Sequence, residues 1–81
     1  MDPLVAMVLG NGSLYVERQV SSEEEVRMFL EMGELQFPLL FSWTDGRGNG
    51  CQCLVFTDEG IDKCFARSEG NELSVRSSSV L

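Results

Sequence analysis

Three cysteines, Cys51, Cys53 and Cys64, and the alternating glycines of Gly46-Arg47-Gly48-Asn49-Gly50 are the groups in this chain whose spacing could support chemistry. The cysteines could offer three thiolates to a metal, with Asp62 or a second chain as the fourth ligand. Structural zinc takes four Cys or His ligands at finger or ribbon spacings. Here a lone Cys-x-Cys stands in a sequence with no histidine. The residues favour three small buried thiols, the ordinary role of free cysteine, so no metal and no cofactor is expected. An odd count at close spacing is also a poor disulfide framework, which favours a reducing compartment and a cytoplasmic location.

The glycine run resembles a phosphate loop only superficially. It joins two strands, so no helix N-terminus follows it to receive an anion. It reads better as a hairpin loop, and Trp43 and Arg47 beside it are residue types enriched at binding hot spots. With Tyr15 they are the candidate protein-binding anchors, although Trp43 at a strand end could equally cap the core. Catalysis is not expected. The commonest general base is missing, the only lysine is Lys63, and the carboxylates sit at a helix start and in turns, where structure accounts for them.

Thirteen acidic against six basic residues give a net charge of −7. Direct binding to nucleic acid needs a basic patch, and an anionic membrane surface would repel this chain, so neither is expected. A basic protein, or an enzyme that handles nucleic acid, would be attracted instead. The candidate acidic surface comprises Glu23, Glu24, Glu25, Glu31 and Glu34 along one helix, with Asp58, Glu59 and Asp62 at a later turn.

The elements that must position these groups follow from periodicity. Leu4–Leu9 is a short apolar run with the length of a buried strand, and its acidic start does not suit a secretory signal. Gly10-Asn11-Gly12-Ser13 is a turn, and Leu14–Val20 alternates as the second arm of a hairpin. Ser21 and Ser22 each have a glutamate three residues on, the capping-box spacing. Val26, Phe29 and Leu30 give that helix its apolar stripe, and Gly33 is placed to end it. Leu35, Phe37, Leu39, Phe41 and Trp43 then alternate as a strand that Pro38 confines to an edge or delays.

Cys51–Thr57 is the next strand. Residues 58–67 fit either a helix with Ile61, Cys64 and Phe65 on one face or a strand turning at Glu59-Gly60. A register pairing residue 54 with 65 favours the strand, with Leu54, Phe56, Ile61 and Phe65 on the apolar face. Glu72–Ser77 is a last strand bearing Leu73 and Val75. The expectation is a single α+β domain over residues 1–81, a small, mostly antiparallel sheet with one helix on a face in the order ββαββββ, and a flexible tail at 77–81.

Function read from these features is protein binding by a small acidic adaptor or inhibitor. An edge near Pro38 could serve as a second surface or join two copies as a homodimer. One alternative is an acidic decoy that imitates nucleic acid. It shares only size and charge with the inhibitors that phages and mobile elements carry against defence enzymes. A second is a thiolate metal-binding structural domain. Ser79-Val80-Leu81 also fits a C-terminal motif for PDZ-type grooves.

Overall fold

The computed structural model describes residues 15–78. The proposed strand at Leu4–Leu9, its turn and the C-terminal motif at 79–81 lie outside them. Within them the order is β1 (Tyr15–Val20), α1 (Glu23–Glu31), β2 (Leu39–Thr44), β3 (Gly50–Val55), α2 (Glu59–Ser68) and β4 (Leu73–Ser78). The four strands form one antiparallel sheet in the order β1-β4-β2-β3. Each helix therefore links two parallel strands with a third strand between them: β4 lies between β1 and β2, and β2 between β3 and β4. The α+β class and the antiparallel sheet stand as expected. The single helix and the element order ββαββββ do not: a second helix stands where the fourth and fifth strands were expected to meet.

The first helix forms where its sequence directs. Ser22 Oγ accepts from the Glu25 N–H at 3.3 Å, while the Glu25 carboxylate accepts from both the N–H and the hydroxyl of Ser21. At the other end Gly33 adopts φ 76°, with Glu34 N–H donating to Phe29 O and Gly33 N–H to Leu30 O. This is the paired hydrogen bonding of a Schellman cap, which only a residue tolerant of positive φ can close cheaply. Removing the cap hydroxyl with Ser22→Ala is expected to cost about 1 kcal/mol, read as a lower urea midpoint with an unchanged slope.

Residues 59–68 are the main correction. They form a helix, not a strand, with Ile61, Cys64 and Ser68 buried and Phe65 half-buried on the inner face. Gly60, read as a turn residue, is needed for close approach: a Cβ there would lie 2.9 Å from Val55 Cγ1. The helix ends at Glu69 and Gly70, both at positive φ.

The faces of β3 change accordingly. Val55 is buried beside Leu39, whereas Phe56 is 53% exposed, so the odd-numbered residues face the helices. The β2 strand begins directly after Pro38 but is central, paired to β4 and β3, so the edges are β1 and β3. Ser77, where the last expected strand meets the expected tail, is fully buried in β4, and its hydroxyl accepts from Gln36 N–H.

Both helices cover one face of the sheet. Val26 from α1 and Ile61 and Cys64 from α2 pack against Val20, Leu39, Phe41, Val55, Leu73 and Val75. Phe41 and Phe65 meet edge-to-face with ring centroids 5.9 Å apart, a favoured aromatic geometry. Among the described residues no helix is long and apolar enough to cross a membrane.

Candidate functional site

The topology gathers the carboxylates that sequence reading placed in two separate groups. Residues 21–34 hold five carboxylates against Arg27, and residues 58–69 hold four against Lys63 and Arg67. Because α1 and α2 share one face of the sheet, this surplus of negative charge lies together on the helix layer. The opposite face presents mostly neutral polar groups: Gln19, Ser42, Gln52 and Ser74 line an open concavity of about 790 Å³. Ser74 Oγ is buried and has no hydrogen-bond partner among the described residues.

Arg27 organises the acidic layer. Its guanidinium donates to Asp62 at 2.8 Å, Asp58 at 3.1 Å and Glu23 at 3.3 Å, tying the start of α2 to α1. Asp58 is therefore engaged by the other helix and makes no side-chain cap on its own. The Asp62 carboxyl is held below its ordinary 3.8, first by a hydrogen bond shared with Glu23 and then by Arg27. Those carboxylates raise the Arg27 guanidinium further, Asp62 foremost.

A depressed carboxyl pKa contributes stability that is present above the unfolded value and is lost as pH falls through the folded one. Wild-type protein should thus lose stability as pH drops below 3.8. In Arg27→Met, Glu23, Asp58 and Asp62 face one another without a cation, so the variant is less stable at neutral pH. Protonating those carboxylates relieves their repulsion. The melting-temperature gap between the two proteins should therefore narrow on acidification, which thermal melts across the acid range would show.

The remaining acidic residues divide cleanly. Glu25 caps α1, and its carboxyl is lowered chiefly by the Ser21 hydroxyl and the Ser21 N–H. Glu34 pairs with Arg18 at 3.7 Å. Glu24, Glu31 and Glu59 are exposed and make no ion pair among the described residues. Beside them on α1, Met28 and Met32 are 50% and 63% exposed and sit one helical turn apart. Nothing in the sequence patterning singled out these methionines, because they lie off the buried stripe.

The three candidate anchors do not form one surface. Tyr15 begins β1 on the face away from the helices and is 43% exposed, its ring beneath Arg76 at 4.9 Å. Arg76 in turn donates to Glu17 at 2.7 Å. Trp43 lies near the far end of β2, opposite Cys51, and is only 7% exposed within the core. It therefore caps the core beneath Arg67, whose guanidinium stands 5.7 Å from the ring, and does not project as an anchor.

Arg47 projects from a loop closed by Asp45, whose carboxylate accepts from the Arg47 and Asn49 N–H groups at 2.8 and 2.9 Å. Those hydrogen bonds, Asn49 first, hold the Asp45 carboxyl below its ordinary value. The Arg47 and Asn49 amides that a phosphate cradle would need already serve this carboxylate.

Cys53 and Cys64 are joined by a disulfide between β3 and α2, and Cys51 is the free cysteine. This corrects the expectation of three unpaired thiols: only one thiol remains for a metal, and no group of three or more ligating side chains gathers among the described residues. The carboxyl shifts of Glu25, Asp45 and Asp62 all run downward. That direction suits hydrogen-bond acceptors and is the reverse of what a general acid needs at neutral pH. No family model, curated protein or solved structure matches this chain.

Proposed function

We propose that this chain is a non-enzymatic protein-binding module, an acidic adaptor or inhibitor that docks a basic partner on its helix layer. The observation that carries the reading is the exposed Met28–Met32 ridge on α1, rimmed by the unpaired carboxylates Glu24 and Glu31. Exposed methionine supplies adaptable apolar contact, and the surrounding charge steers an oppositely charged surface toward it. Sequence reading placed binding at Tyr15, Trp43 and Arg47; the helix layer replaces them as the docking surface, because Trp43 is buried and the other two are dispersed.

The test is affinity capture from native lysate with wild type and with Met28→Ser/Met32→Ser, at low and high salt, with and without nuclease. The ridge is solvent-exposed, so the double variant should keep its fold. A protein captured by wild type through high salt and lost at least tenfold by the variant supports docking on the ridge, since about 1.4 kcal/mol of lost apolar contact suffices for that factor. Capture that ignores the methionines but collapses with salt and with added DNA or RNA would replace this reading with the nucleic-acid decoy.

A further inference from the structure

We infer that β3 is the seam of a homodimer, in which the strand pairs antiparallel with β3 of a second copy and continues the sheet. Among the described residues β3 pairs only with β2, which leaves its outer side as a sheet edge. Natural edges are blocked by lysine, proline, inward charge or a bulge. From Gly48 to Thr57 this chain places no charged residue and no proline, although 23% of its residues are charged. The other edge, β1, carries Glu17 and Arg18, engaged with Arg76 and Glu34.

Self-pairing is favoured by what a two-fold register brings together. With Cys53 opposite its own copy, Gln52 lies beside Leu54, and Phe56 of one copy lies against Gly50 of the other. Phe56 is 53% exposed, and the space above Gly50 is open. An aromatic laid across a strand glycine is a stabilising cross-strand pair.

Beyond the strand ends, the same antiparallel arrangement sets the β2–β3 loop of each copy, with Arg47, at the end of the seam where α2 of the other begins, with Glu59 and Asp58. Neither Arg47 nor Glu59 has an ion pair among the described residues of a single chain. A net charge of −7 opposes contact between two copies over most of the surface. At this edge a basic group of one copy comes near an acidic group of the other, twice over. The inference stands independently of the partner docking on the helix layer.

Sedimentation of the full chain from about 1 μM to about 1 mM tests it, a range that brackets weak to moderate association. The mass should rise from 9.0 kDa to twice that value. Gln52→Lys puts a charge on the edge and should weaken the dimer at least tenfold. Arg47→Glu should weaken it about tenfold at low salt, because two surface ion pairs become repulsions. Adding Glu59→Arg to Arg47→Glu should restore the wild-type affinity. These side chains are exposed, so circular dichroism should be unchanged throughout. A protein that stays monomeric over the whole range, or a dimer indifferent to both Gln52→Lys and the charge reversals, would overturn the inference.

Discussion

Replacing Trp43 with alanine should cost about 3–5 kcal/mol, the usual penalty for deleting a buried aromatic. The indole is 7% exposed and packs with the central cluster of Phe41, Val55 and Leu73. Truncation removes its contacts on the inner face of β2 and leaves a cavity under α2. The Arg67 guanidinium adds a cation–π contribution of roughly 0.5–1 kcal/mol at such a site. A domain of 81 residues has limited stability in reserve, so the loss should show as a large fall in the urea midpoint. Trp43→Phe keeps most of the packing and should recover most of the stability. Tyr15→Ala is the internal contrast: with 43% of the residue exposed, its effect on folding should be far smaller. A Trp43→Ala protein with wild-type stability would remove the residue from the core and return it to the surface.

That result separates two roles that sequence alone left balanced. Alternation over Leu35–Trp43 picked out Leu39, Phe41 and Trp43, which are buried on the inner face of β2, but Leu35 and Phe37 precede the strand and Phe37 is only partly buried. It could not show whether the last aromatic of the run lies beneath a second helix, because that helix was itself misread. The α1 boundaries were legible because their signals are local: Ser22 and Glu25 cap within one turn, and Gly33 supplies the left-handed residue at the end. The α2 signals act at a distance. Asp58 gives its carboxylate to Arg27 on the other helix, and Gly60 is small because Val55 lies against it. Three apolar positions over so short a stretch fit either period, so the register pairing 54 with 65 across Glu59-Gly60 decided for a hairpin that does not form.

The charge layer was legible as composition but not as geometry. Eight acidic residues were singled out by type, in two groups some thirty positions apart in sequence, as the Arg27–Asp58 separation of 31 illustrates. Only the crossover connections of the sheet bring α1 and α2 side by side and leave the opposite face nearly neutral. Met28 and Met32 escaped notice for a related reason. An exposed apolar residue is unremarkable until its neighbours are known to be unpaired carboxylates.

Reduction of the Cys53–Cys64 disulfide should cost about 3 kcal/mol, from the chain-entropy value for a loop closed across 11 residues. The loop spans the end of β3 and the first half of α2, so cross-linking restricts the unfolded chain where the helix is otherwise anchored by Ile61 and by the Arg27 ion pairs. Urea unfolding with and without a phosphine reductant measures the effect as a difference in midpoint. Cys53→Ala/Cys64→Ala should be insensitive to reductant and should unfold near the reduced wild type. The alanine at the buried position 64 adds a packing loss, so it should fall slightly below. Cys51→Ser is the decisive control, because Cys51 and Cys53 share the inner face of β3. If Cys53 alone holds Cys64, Cys51→Ser keeps the full response to reductant. A diminished response would mean that Cys51, and not Cys53, forms much of the bond to Cys64 in the wild type.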